Sequence, residues 1–201
     1  MADTFNLWFE KYRPKSLDDI VLPPNKIQLV KRWFQDFLEG KARTSGLLFT
    51  GPPGLGKTSM AHIILREYGF KVREFNASDT RSKSLIHENL YGLINITDVN
   101  RVVNRDEPPV AIIMDEVDGM FKSDRGGVDE LLTFITEQRR VPIICICNLG
   151  NVKKDTIKGL QKECLEVNFQ LPDEGQMMQV LRRVTGGEGM HVSAEAENMI
   201  I

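Results

Sequence analysis

A glycine-rich segment between an apolar stretch and a helical stretch constrains this chain more than any other feature. Residues 51–58 read GPPGLGKT and fit the pattern G-x-x-x-x-G-K-[ST] at every fixed position. The apolar run Gly46–Thr50 precedes the segment, and residues with helical periodicity follow it to about Tyr68. A strand, a glycine turn and a helix in this order are the context in which the pattern forms a phosphate-binding loop.

The physical chemistry of this loop predicts binding of a nucleoside triphosphate with Mg²⁺. Glycines leave room for successive backbone N–H groups to surround phosphate oxygens, and the following helix adds its positive N-terminal end. We expect Lys57 to reach the terminal phosphates and the Thr58 hydroxyl to ligate the metal. A chance glycine-rich turn is the alternative, and the flanking strand and helix disfavour it. The predicted nucleotide-binding residues of the loop are Gly51, Pro52, Pro53, Gly54, Leu55, Gly56, Lys57, Thr58 and Ser59.

Acidic residues follow a second apolar strand. Val110–Met114 is apolar throughout and runs directly into Asp115 and Glu116. Carboxylates at the carboxyl end of a buried strand emerge where open α/β sheets bind ligands. We therefore expect Asp115 to hold Mg²⁺, directly or through water, and Glu116 to act as the base that orients the attacking water. An acidic strand end that faces solvent is the alternative, and Asp118 is expected to cap a loop.

A polar amide ends another buried strand. Asn148 follows the apolar run Pro142–Cys147. Its side chain has the chemistry to hydrogen-bond the attacking water or the terminal phosphate. The sequence Asn-Leu-Gly is also a turn signal, and spacing alone favours the turn.

Strands alternate with helices along the chain, which predicts an α/β fold. Because several strands are apolar throughout, we expect a parallel five-stranded sheet that helices cover on both faces. Residues 95–109 and the glycine-rich residues 125–127 are predicted to be loops. A new helical stretch begins at Pro172, where we place a domain boundary. The predicted strands are Gly46–Thr50, Lys71–Phe75, Val110–Met114, Pro142–Cys147 and Leu165–Phe169.

Composition limits the partners. The formal net charge is −2, whereas a protein that binds nucleic acid alone is usually basic. Any contact with DNA therefore requires a local patch or a larger assembly. No apolar run is long enough to cross a bilayer and no signal-peptide pattern is present, so we expect an intracellular protein without a membrane partner.

Several motifs together resemble the AAA+ ATPases, and more narrowly the clamp-loader branch of that family. Residues 76–83 read NASDTRSK, residues 115–120 read DEVDGM and residues 124–127 read DRGG. With WFEKYRP at residues 8–14, they resemble the large subunit of replication factor C over about residues 7–185. The resemblance implies an AAA+ P-loop ATPase domain over residues 1–171, followed by the start of a truncated helical lid domain over residues 172–201.

The resemblance implies a catalytic set. Residues 51–58 would be the Walker A motif, and Asp115 and Glu116 the Walker B motif. Asn148 would be the first sensor. Lys57, Glu116 and Asn148 would then act on the terminal phosphate of ATP and on the water that attacks it.

The resemblance also implies binding roles outside these motifs. Tyr12, Arg13 and Pro14 would lie near the adenine. Arg81 and Lys83 would contact the phosphate backbone of DNA, although composition alone would make them solvated surface charges.

The function that the resemblance implies is ATP-dependent loading of a sliding clamp at primer–template DNA, by a hetero-pentamer with small clamp-loader subunits. Small subunits carry Ser-Arg-Cys, whose arginine enters the ATP site of the neighbour. This chain has Lys162-Glu163-Cys164 there, which fits the large-subunit position. Two alternatives stay open: a nucleotide-binding scaffold for DNA and partners with little hydrolysis, and another AAA+ motor of DNA repair or recombination. The implied location is the nucleus in a eukaryote and the cytoplasm otherwise.

Overall fold

The computed structural model describes residues 7–77, 83–103, 107–122, 125–148, 154–193 and 196. Five strands and seven α-helices form the described part of the chain, with short 3₁₀ turns at Leu17–Asp19 and Val117–Lys122. The strands are β1 (Gly46–Gly51), β2 (Lys71–Asn76), β3 (Val110–Asp115), β4 (Ile143–Asn148) and β5 (Cys164–Asn168). The helices are α1 (Trp8–Lys11), α2 (Pro24–Leu38), α3 (Lys57–Glu67), α4 (Lys83–Val103), α5 (Arg125–Glu137), α6 (Lys154–Glu163) and α7 (Glu174–Gly187).

The strands form one parallel sheet in the order β2-β3-β4-β1-β5. This confirms the predicted five-stranded parallel sheet. Strand β1 pairs with β4 on one side and β5 on the other, so the loop that follows β1 starts from the interior of the sheet. The register places Gly51 opposite Asn148 and Asn76 opposite Asp115. Polar residues from β2, β3 and β4 therefore meet beside the end of β1, at the carboxyl edge of the sheet.

Apolar side chains cover both faces of the sheet. Along β1, Leu47 and Phe49 enter one core while Leu48 enters the other. The first core contains residues of α2 and α3, among them Phe34 and Ile64. The second contains residues of α4, α5 and α6. Two buried faces explain why β1, β3 and β4 are apolar runs and not alternating ones.

Two segments predicted as loops are helical in the structure. Helix α4 continues to Val103, through much of the polar stretch that begins at residue 95. Helix α5 begins at Arg125, so Gly126 and Gly127 lie in its first turn. The two helices pack against each other in the second core, where Leu90, Leu131 and Phe134 are buried. In α5 this tertiary packing outweighs the local preference of the two glycines.

The three cysteines are free thiols and all are buried. No helix in the described residues is long and apolar enough to cross a membrane.

Candidate nucleotide site

The glycine-rich loop leaves β1 in a backbone conformation that favours glycine. Gly51 has φ +141°, and a Cβ on it would lie 2.3 Å from the carbonyl oxygen of Phe169. Gly56, directly before α3, has φ +78°. A side chain at Gly51 would collide with backbone, and one at Gly56 would force a strained left-handed conformation. The loop therefore takes the form that the motif predicts.

Lys57 is buried beneath this loop, with an exposed fraction of 5%. Its ammonium donates hydrogen bonds to the carbonyl oxygens of Gly51 at 3.0 Å and Pro52 at 2.6 Å. Burial lowers the pKa of Lys57, and the negative charge of Asp115 opposes that shift. The side chain is thus a fixed cation at the loop, where a phosphate group would need one.

Thr58 and Asp115 meet between α3 and β3. The Thr58 hydroxyl donates a hydrogen bond of 2.7 Å to Oδ2 of Asp115. A hydroxyl and a carboxylate oxygen are the hard ligands that Mg²⁺ prefers. The described residues contain no group of three or more His, Cys, Asp or Glu side chains that would hold a metal ion alone. This donor set fits a magnesium ion whose other ligands are phosphate oxygens.

Glu116 is held in an unusual backbone conformation. Its φ is +54°, the only positive value for a non-glycine among the described residues. Its N–H donates to Oδ1 of Asp115 at 2.7 Å, and its Oε2 accepts from Nδ2 of Asn76 at 3.2 Å. A non-glycine residue in this region carries strain, and such strain is commonest at functional sites. The geometry turns Glu116 away from the strand direction and toward the end of β2.

Sequence reasoning did not assign Asn76 a role. Asn76 is the last residue of β2, and the sheet order places it beside the end of β3. The signal that would have identified it is its position, because a polar residue directly follows the predicted strand Lys71–Phe75. Its meaning depends on the strand order, which the sequence alone does not give.

Asp118 fixes the end of β4. Its Oδ1 accepts a hydrogen bond of 3.0 Å from the backbone N–H of Asn148. This hydrogen bond gives Asp118 a structural contact with the end of a neighbouring strand. The bond anchors Asn148 at the carboxyl edge, in the same cleft as Lys57 and Asp115.

A cleft of about 580 Å³ opens above the carboxyl edge of the sheet. The phosphate loop contributes residues 53–59, and Asp115, Glu116 and Asn148 line the same space. The N-terminal segment contributes Tyr12, Arg13 and Pro14. Apolar side chains complete the lining, from Ile20 and Val21 and, on α7, from Met177 and Val180.

The N-terminal segment is bonded to α7. Arg183 Nη1 donates to Oδ1 of Asp19 at 2.8 Å, and Tyr12 Oη donates to Oε1 of Glu188 at 2.9 Å. The pKa of Asp19 is lowered chiefly by a hydrogen bond from the backbone N–H of Lys15, with Arg183 adding to the effect. Local sequence patterns carry no signal for these contacts, because the partners are more than 160 residues apart in the chain.

The two residues predicted to bind DNA have different outcomes. Arg81 lies outside the described residues. Lys83, at the start of α4, lies 3.5 Å from Oε2 of Glu130 and keeps 68% of its side chain exposed. Glu130 is buried and also bonds Nδ1 of His87 at 2.6 Å, which lowers the pKa of Glu130. Lys83 does not line the cleft.

Comparison with known proteins agrees with this fold and site. The model of the ATPase family associated with various cellular activities (AAA) matches residues 47–171. The match begins in β1 and ends beyond β5, and it includes the phosphate loop and the Thr58–Asp115 pair. The chain belongs to the AAA family of ATPases.

Within that family the chain is similar to replication factor C large subunits. It is 33% identical to replication factor C subunit 1 of Schizosaccharomyces pombe, over 97% of this chain and 23% of that protein. It is 33% identical to the Homo sapiens subunit 1, over 97% of this chain and 19% of that protein. The large subunit of Methanococcus aeolicus is 35% identical over 92% of this chain and 37% of that protein. The chain thus spans 19–37% of the length of these relatives.

Solved structures show the same fold. The Thermotoga maritima RuvB Holliday junction branch migration motor matches with a TM-score of 0.63 and 18% identity, over 92% of this chain and 58% of that chain. A katanin structure matches with a TM-score of 0.61 and 19% identity, over 93% of this chain and 66% of that chain. At these identities the likeness concerns the fold alone.

Proposed function

We propose that this chain binds and hydrolyses ATP as the ATPase part of a clamp-loader large subunit. In this role it acts with small clamp-loader subunits in a hetero-pentamer, which loads a sliding clamp at primer–template DNA. The observation that carries the proposal is the likeness to replication factor C large subunits over nearly the whole chain. The cleft that brings together Lys57, Thr58, Asp115, Glu116 and Asn148 supports it.

The chain's own residues divide the work of hydrolysis. Lys57 and the backbone N–H groups of residues 54–58 bind the phosphates, and Asn148 hydrogen-bonds the terminal phosphate or the attacking water. Glu116 accepts a proton from that water and orients it. Thr58 and Asp115 hold Mg²⁺, which supplies charge neutralisation of the phosphates when it is bound.

A second region of the cleft is suited to the adenine base of the nucleotide. The aromatic, cationic and proline side chains of Tyr12, Arg13 and Pro14, with the apolar residues of α7, form a surface suited to adenine. We assign residues 1–171 to the nucleotide-binding domain and α7 to the start of a helical lid over residues 172–201. The contribution of α7 to the cleft wall supports this assignment.

The DNA contact is assigned to Arg81 and Lys83. The exposed ammonium of Lys83 lies at the first turn of α4. A phosphate of the DNA backbone competes with Glu130 for this ammonium, and such contacts depend on charge and carry little sequence information.

The proposal is tested by the ATPase rate of the assembled complex. The chain is mixed with small loader subunits, the sliding clamp and primed DNA, and hydrolysis is measured with each component omitted in turn. We expect stimulation by both clamp and DNA. No stimulation by either would favour a nucleotide-binding scaffold, and stimulation by DNA without any effect of the clamp would favour a different AAA+ motor. For a eukaryotic chain, the proposal places the complex in the nucleus.

A further inference from the structure

The end of α7 contacts the Tyr12 side chain and fixes its position. Oε1 of Glu188, the residue that caps α7, accepts hydrogen bonds from Tyr12 Oη at 2.9 Å and from Lys11 Nζ at 2.7 Å. These two bonds lower the pKa of Glu188. The Lys11 ammonium also lies 5.5 Å from the centroid of the Tyr12 ring, within the range of a cation–π contact. The hydroxyl and the ring of Tyr12 are therefore both held.

The preceding residue leaves the space that the ring occupies. A Cβ on Gly187 would lie 2.3 Å from Oη and 2.9 Å from Cε1 of Tyr12. Real atoms do not approach so closely, so any side chain at Gly187 must displace the ring. A Cβ on the adjacent Gly186 meets nothing within 4 Å. The two glycines thus differ in their contact with Tyr12, although both lie in the last turn of α7.

Tyr12 lines the nucleotide cleft together with apolar residues of the segment around Ile20 and of α7. The phosphate loop lines another part of the same cleft, together with Asp115, Glu116 and Asn148. An aromatic ring beside apolar side chains is suited to the flat face of a nucleobase and offers nothing to phosphate.

We propose that Gly187 and Glu188 are positioning residues for base recognition, which hold the Tyr12 ring against the base of the bound nucleotide. This inference rests on the proposed function, because it requires that the cleft bind ATP. It adds that the end of α7 determines how much of the affinity comes from the base.

The test compares ATP with inorganic tripolyphosphate, which has the phosphates and lacks the base. Dissociation constants for both, each with Mg²⁺, are measured by calorimetry on the wild type, Gly187→Ala and Gly186→Ala. We expect Gly187→Ala to weaken ATP binding about fivefold, the factor that one net hydrogen bond represents, and to leave tripolyphosphate binding unchanged. Gly186→Ala is expected to change neither. Alanine favours the helix over glycine at both positions, so Gly186→Ala is not expected to lower the unfolding temperature. In Gly187→Ala this gain is offset by the displacement of the Tyr12 ring.

A second pair of variants tests the hydrogen bond independently of the glycine. Glu188→Ala and Tyr12→Phe each remove one partner of the hydrogen bond. Each is therefore expected to lower the affinity for ATP and to leave the affinity for tripolyphosphate unchanged. The double variant is expected to lose no more ATP affinity than the single variant with the larger loss. Equal loss of ATP and tripolyphosphate affinity in Gly187→Ala and Glu188→Ala, or no loss of either, would overturn the inference. A wild-type chain that binds neither ligand would instead refute the proposed function.

Discussion

The Thr58 hydroxyl donates a 2.7 Å hydrogen bond to Oδ2 of Asp115, and so joins the first turn of α3 to the end of β3. Helix α3 packs in the core on one face of the sheet, and β3 contributes side chains to the cores on both faces. The two oxygens are therefore held together by the fold. Little rearrangement is needed for them to share one metal ion, which is the arrangement that gives a metal site its affinity.

Replacement of Thr58 by valine removes one predicted metal ligand with almost no change of shape. We expect the Mg²⁺-dependent gain in ATP affinity to fall by at least about tenfold, because even indirect partners of a metal ion contribute that much. Titrations with and without Mg²⁺ measure this gain. Thr58→Ser keeps the hydroxyl and serves as the control. A valine variant with the full magnesium effect would remove Thr58 from the site.

Lys57→Met removes the cation beneath the phosphate loop. We expect ATP affinity to fall by roughly 10- to 100-fold, as for the loss of a hydrogen bond from a charged group. The unfolding temperature should stay the same or rise, because burial lowers the pKa of Lys57 and the fold therefore disfavours its charge. Lys15→Met, at an exposed position, changes the net charge equally and is the control. Equal affinities of the two variants would contradict the role of Lys57.

Glu116→Gln keeps the shape of the proposed base and removes its ability to accept a proton. We expect ATP affinity within about twofold of the wild type and a hydrolysis rate reduced by roughly 10²- to 10⁴-fold in the assembled complex. Single-turnover hydrolysis and nucleotide titration separate the two effects. Glu74→Gln, on the neighbouring strand β2, is the matched control. Undiminished turnover by Glu116→Gln would exclude Glu116 as the base.

The Glu130 carboxylate makes stability depend on pH. Its pKa is lowered chiefly by the hydrogen bond from His87, with Lys83 also contributing, so the unfolded chain binds the proton more tightly. The contribution is complete above the unfolded pKa of about 4.3 and is lost as the pH falls through the folded pKa.

Glu130→Gln tests this dependence. We expect it to cost about 1–3 kcal/mol of unfolding free energy at pH 7 and progressively less at lower pH, measured by denaturant unfolding. Asp129→Asn, an exposed neighbour on α5, is expected to show no such convergence with the wild type. A constant difference between Glu130→Gln and the wild type from pH 7 to pH 3 would contradict the prediction.

The sequence predicted most where chemistry is local. The glycines of residues 51–58, the apolar strands and the acidic end of β3 each carry their own signal, so the sheet and the phosphate end of the cleft followed from them. The full length of α4 did not, because the polar residues from 95 onward carry no helical signal of their own. Two contacts could not be predicted either. The contact of Asn76 with Glu116 depends on the order of the strands in the sheet, and the contact of Tyr12 with Glu188 joins residues far apart in the chain. The catalytic and binding roles of these residues stay predictions.

The two ends of the cleft differ in how firmly they are attached. The phosphate loop leaves β1, which is paired on both sides. The nucleoside side instead depends on partly exposed ion pairs of Lys11 with Glu188, which also bonds Tyr12, and of Arg183 with Asp19. Salt weakens exposed charge pairs and leaves strand pairing untouched. Rising ionic strength should therefore loosen the contacts between the N-terminal segment and α7 before it affects the attachment of the phosphate loop to the sheet.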